Sequence, residues 1–118
     1  MSTQEVANRL VELCRKGEYE TCYKELYSPN AVSIEPNADF GPPRTEGMEA
    51  IRKKGEAWSA MIEEMHGSSV GDPVVAGNHF SCAMMVDWTM KGAGRQKMEE
   101  ICVYKVEEGK IVSEQFFF

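Results

Sequence analysis

The chain opens on a helical period. Between residues 3 and 16, Val6, Ala7, Leu10, Val11, Leu13 and Cys14 recur at three- and four-residue spacing, with Glu5, Arg9, Glu12 and Arg15 between them. Such spacing predicts an amphipathic helix with one buried stripe. Ser2 or Thr3 can cap its free N–H groups, and Gly17 can end it in the left-handed conformation. A second short helix is predicted over 18–26, burying Tyr19, Cys22, Tyr23 and Leu26, until Ser28-Pro29-Asn30 breaks it.

The period then shortens. Residues 31–35, Ala-Val-Ser-Ile-Glu, read as a first strand stopped by Pro36, which lacks the N–H a ladder requires. Residues 36–47 hold three of the five prolines and two glycines, so a loop over the mouth of a cavity is expected. A third helix is predicted over 48–65, with Ile51, Ala57, Trp58, Met61 and Ile62 as its inner face. Beyond Gly67 four strands follow, at 68–75, 80–90, 97–106 and 111–118, with turns at Gly77-Asn78, Gly92-Ala93-Gly94 and Glu108-Gly109. Two helices, a strand, a helix and a meander predict an α+β fold with helices on one face of a mainly antiparallel sheet.

At 118 residues the chain is expected to be one domain over 1–118, large enough to bury a core without disulfides. Composition narrows the partners. A formal charge of −6, with no basic cluster beyond Arg52-Lys53-Lys54, argues against nucleic acid, whose backbone is bound by concentrated positive charge. No apolar run is long enough to cross a bilayer, and MSTQEVANRL lacks the pattern of a secretory signal, so no membrane association and a cytoplasmic location are expected. Cys14, Cys22, Cys82 and Cys102 are scattered, with only His66 and His79 to help them; buried free thiols and no metal site are expected.

Particular segments narrow the fold. The run AVSIEP, the Pro/Gly loop, GMEAIRKKGEAW and the ending VYKVEEGKIVSEQFFF resemble the SnoaL-like branch of the nuclear transport factor 2-like superfamily over nearly the whole chain. In that branch the third helix opens on Gly-x-x-Ala-Ile-Arg and the last hairpin turns on Gly-Lys-Ile. The resemblance implies a cone-shaped, cystatin-like fold whose three helices and curved sheet enclose a pocket for a small organic molecule. It does not select a function, because isomerases, cyclases, dehydratases and noncatalytic binders share this fold. Among the relatives, ketosteroid isomerase carries its base just before a proline at the end of the first strand, where this chain has Glu35-Pro36. Its two oxyanion donors, a tyrosine and a protonated aspartic acid, align with Leu10 and Cys102, so steroid isomerisation by that route is not expected.

Strand alternation assigns the facing of the pocket residues. Cys82, Met84, Val86, Trp88 and Met90 form one apolar face, with Asp87 and Thr89 turned away. Met98, Glu100, Cys102 and Tyr104 fall on the inner face of the next strand, and Val112, Glu114, Phe116 and Phe118 on that of the last. Glu35, Glu100 and Glu114 therefore look into an apolar interior, which favours a neutral carboxyl and proton transfer near neutral pH. The expected catalytic set is Glu35 as base, with Tyr104 or a protonated Glu114 stabilising an enolate. Trp58, Met84, Trp88, Glu100, Cys102 and Phe116 are expected to contact the ligand, as is His66 at the end of the third helix. No cofactor is expected. Ile101, Val103, Ile111 and Phe117 point outward and predict a homodimer through the outer sheet face. A cofactor-free isomerase or cyclase, a noncatalytic binder of a small ligand and a dimerisation module all remain open.

Overall fold

The computed structural model describes residues 1–39 and 41–118. Helix α1, Thr3–Arg15, starts on a reciprocal cap: Ser2 Oγ accepts the Glu5 N–H at 3.1 Å, and Glu5 Oε1 accepts the Ser2 N–H at 2.9 Å. All six residues of the expected stripe are buried. Helix α2, Tyr19–Leu26, buries Cys22 and Leu26, while Tyr19, expected inside, is 52% exposed on its first turn.

Helix α2 ends ahead of Ser28-Pro29-Asn30 as expected, and strand β1, Tyr27–Ile34, follows directly and takes that segment in. Pro29 is tolerated because the pairing of β1 with the last strand skips from Tyr27 to Val32, so no ladder bond is asked of it. The segment expected to be pure loop holds a short strand, β2, Arg44–Glu46, antiparallel to the end of β1. Glu35 N–H donates to the Pro43 carbonyl at 2.7 Å and draws the two arms together. Residue 40, within that loop, lies outside the described residues.

Helix α3, Met48–Ala60, ends five residues before the predicted boundary. The residues that follow, read as helical from their spacing, enter strand β3, Ile62–Val70, where Ile62 faces Met90 and Met65 faces Trp88. Partners distant in sequence thus outweigh the local period, as is common where a strand can add to a sheet. After β3, Pro73 separates a short β4, Val74–Ala76, from the segment predicted to be one strand with it. The long strands β5, His79–Met90, β6, Gly94–Glu107, and β7, Lys110–Phe117, complete the meander.

The strand order is β2-β1-β7-β6-β5-β3, with β4 also on β5. Among the described residues only β1 and β7 run parallel, and every other pair is antiparallel. Helices α1 and α2 cover one face, where Val6, Leu10, Leu13 and Leu26 pack with Phe80, Cys82, Cys102, Tyr104, Val106 and Ile111. Ile111, expected on the outer face, is fully buried. The β6 and β7 register shifts between Lys105 and Val106, so that Val106 faces Ile111 while Lys105 faces Ser113. The bulge reverses the alternation at that point. Among the described residues no helix is long and apolar enough to cross a membrane.

Candidate functional site

Helix α3 packs on β1 and β2 at one end of the sheet and on β3 at the other, and so bridges the concave face. Beneath it the inward residues of the middle strands are half-buried rather than sealed: Met84 and Val86 on β5, Met98 and Glu100 on β6, Phe116 on β7. Trp58 of α3 leans on Trp88 of β5, ring centroids 5.6 Å apart with planes at 56°. The result is a wall of apolar, adaptable side chains.

A hydrogen-bonded chain runs from the core to that wall. Tyr27, at the start of β1, donates its hydroxyl to Glu114 Oε1, and Ser33 donates to Glu114 Oε2 at 2.7 Å. Lys54 of α3 reaches across to Ser33 Oγ at 2.6 Å and to Glu35 Oε1 at 2.9 Å. Glu114 and Ser33 are buried, whereas the Lys54 and Glu35 side chains each keep 17% exposure. The ion pair therefore sits at the margin of the core. The Lys54 ammonium also lies 5.5 Å from the Phe116 ring centroid, within cation–π range.

Burial pushes the Glu114 carboxyl above its ordinary value, although the Tyr27 and Ser33 donors and the Lys54 charge oppose this. Glu100 faces the same interior from β6. Desolvation is the main cause that raises it to about 7, helped by the charges of Glu35 and Glu114 and opposed by the Cys102 thiol, whose Sγ donates from 3.6 Å, and by Lys54. Glu100 thus changes protonation state near neutral pH.

The structure brings Glu35, Glu100 and Glu114 within electrostatic reach of one another, with Phe116 beside Lys54 and Met84 opposite Glu100, while Trp58 and Trp88 pair farther along the same face. Tyr104 is packed deeper. Its ring stacks on Phe80 at 4.7 Å in the core beneath α1, and burial holds its hydroxyl neutral. That placement removes the expected role as a donor to a bound oxygen. Cys102 is a fully buried wall residue directly opposite Cys82, and all four cysteines are free and buried.

His66 does not end a helix; it is the extra residue of a bulge in β3, between Met65, which faces Trp88, and Gly67, which faces Asp87. Its Nε2 hydrogen-bonds Thr89 Oγ1 at 2.6 Å. Thr89 and Asp87 alternate with Trp88 and so lie on the opposite side of the sheet. His66 therefore belongs to the convex face and cannot meet a ligand under α3.

Lys54, Ser33 and Tyr27 were not anticipated from the sequence. Lys54 follows Ile51 by three residues and precedes Trp58 by four, so the helical period places it on the inner stripe. Ser33 alternates with Glu35, which puts both on one face. Those two spacings are the signal that identifies Lys54 and Ser33; no spacing marks Tyr27. Among the described residues no group of three His, Cys, Asp or Glu side chains is arranged to hold a metal ion.

Two grooves lie elsewhere. One of about 390 Å³ runs between α1 and Asp72-Pro73; another of about 640 Å³ lies by the β6–β7 turn around Asn78, Glu107 and Lys110. Neither contains any of the titratable residues of the concave face.

Comparison with known proteins agrees with this fold. The SnoaL-like domain family model matches residues 1–118. A candidate SnoaL-like polyketide cyclase from Mesorhizobium loti is 32% identical, with all of both chains covered and a TM-score of 0.92. A candidate isomerase from Bacillus subtilis superposes at a TM-score of 0.76 with 18% identity, covering 98% of this chain and 88% of that one. A cystatin-like protein from Xanthomonas campestris gives 0.76 with 20% identity, covering 99% and 90%. These two show the fold alone. No curated protein matches the chain.

Proposed function

The chain belongs to the SnoaL-like domain family, and on that premise we propose that its concave face binds a small, largely apolar organic molecule and moves a proton next to a carbonyl group. The observation that carries this reading is the Lys54–Glu35 pair at the edge of an apolar wall, beside a carboxyl at Glu100 raised to about 7. Glu35 takes the proton from the carbon next to the carbonyl. The electron pair of that C–H bond passes to the carbonyl oxygen as an enolate. Lys54 and protonated Glu100 donate to this oxygen, and Glu35 returns the proton at another carbon or to the same one. These donors stand in for the tyrosine and aspartic acid that the resemblance would place at Leu10 and Cys102, both buried in the core. The Mesorhizobium relative is named as a candidate polyketide cyclase, which favours the cyclase form of this chemistry.

Titration with 2-tetralone, a flat ketone with acidic protons beside its carbonyl, tests the location. Methyl-resolved NMR is expected to show shifts at Met84, Val86 and Met98 and none at Ile101 or Val103. Shifts confined to the outer face would reject the cleft.

We also propose that a second copy of this chain covers the outer face. Ile101 and Phe117 are register partners there, 53% and 48% exposed, with Ala83 beside Ile101. Contiguous exposed apolar area of this kind marks an association surface. Light scattering at micromolar concentration is expected to give twice the mass of the 13.3 kDa chain, and a monomer would reject the assignment.

A further inference from the structure

Trp88 is 1% exposed, yet its Nε1 has no hydrogen-bond partner among the described residues. Buried indole N–H groups usually find an acceptor, because leaving one unpaired forfeits the bond it makes in water. The surroundings explain why the protein supplies none. Met65 faces Trp88 across β3, and Trp58 covers it from α3. Gln96 faces it across β6, its amide nitrogen donating to the Ala93 carbonyl at 3.4 Å, and no Gln96 oxygen reaches the indole N–H. Trp88 lies on the same concave face as Met84, whose partner across the ladder is Glu100. Trp88 is four positions beyond Met84 on β5, so the indole stands roughly 13 Å along the wall from the Glu100 end.

We infer that Trp88 Nε1 is a hydrogen-bond donor to the bound molecule, and that the cleft selects flat apolar molecules with an oxygen acceptor at each end. This rests on the cleft reading above. One oxygen meets Lys54 and Glu100, where proton transfer takes place. The other meets Trp88, and Trp58 stacks on the apolar frame between them. A ligand with a single oxygen fills the same space but leaves the indole unpaired, and so binds more weakly.

The test compares two probes of equal shape. 2,6-Diacetylnaphthalene carries a carbonyl oxygen at each end; 2-acetyl-6-isopropenylnaphthalene replaces one of them with a methylene group. Dissociation constants are measured by calorimetry on the wild type and on Trp88→Phe. The preference for the diketone is expected to be fivefold to tenfold greater in the wild type, about the effect of one neutral hydrogen bond. An equal preference in the two proteins would overturn the donor assignment while leaving the cleft intact. Failure of both probes to bind the wild type would overturn the assignment together with the cleft reading, which the 2-tetralone titration judges separately. If Trp88→Phe does not fold, the wild type decides alone. Its Trp88 indole proton, resolved by 15N NMR, is expected to move downfield with the diketone and not with the alkenyl ketone. Identical shifts with the two would overturn the proposal.

Discussion

Replacing Glu35 with Gln lowers protein-catalysed exchange of ketone α-protons by about 10²- to 10⁴-fold, the range for removing a positioned general base. The substitution is chosen to isolate the base. A glutamine keeps an oxygen for Lys54 to donate to, so the 2.9 Å contact survives while the proton-accepting charge does not. Rate is the quantity to follow, with affinity for 2-tetralone measured alongside. A fall in rate at constant affinity assigns Glu35 to the transition state, and a fall in affinity alone assigns it to binding. An unchanged rate would reject the base.

The second large effect is on stability. Glu114→Ala is expected to destabilise the fold by about 3–4 kcal/mol, because it opens a cavity and strands two buried hydroxyls. Tyr27 and Ser33 both donate to that carboxyl, and neither has solvent to turn to. Glu114→Gln retains an acceptor oxygen and an amide donor, and its cost should stay near 1 kcal/mol. Urea denaturation of the two variants measures the difference, read from midpoints at constant slope. Equal losses would show that volume rather than the hydrogen-bonded chain holds this part of the core. The raised Glu114 value adds a pH dependence of definite sign. The folded state keeps its proton at pH values where the unfolded chain has lost it, so the contribution is full below about pH 4.5 and declines as pH rises toward the folded value.

These residues also show what a sequence can disclose. The α1 stripe, its Ser2 cap and the inward facing of Cys82, Trp88, Cys102 and Glu114 follow from period and alternation, since each depends on neighbours a few residues away. The boundary of α3, the strand β2 and the reversal at Ile111 depend on partners far along the chain. The end of α3 is decided by Met90 and Trp88, and the facing of Ile111 by a bulge against β6. No local pattern encodes either. The site was half legible for the same reason. Glu35, Glu100 and Glu114 stand out as carboxylates in apolar settings. Lys54 did not, because a lysine beside Arg52 and Lys53 reads as part of a solvated face until α3 is laid across the sheet. Once there, Lys54 joins Ser33 and Glu35, 21 and 19 residues away, into one unit. His66 failed in the opposite direction, since its place at a helix end vanished with the end of that helix.

Deuterium incorporation into 2-tetralone, followed by mass spectrometry in D2O, tests the central claim most directly. The wild type is predicted to exchange the α-protons faster than buffer alone, with a rate that saturates in ketone. The rate should fall as pH rises through about 7, where Glu100 loses the proton it donates. Exchange at the buffer rate, with the ketone bound on the concave face, would contradict the account and leave a binding protein that performs no proton transfer.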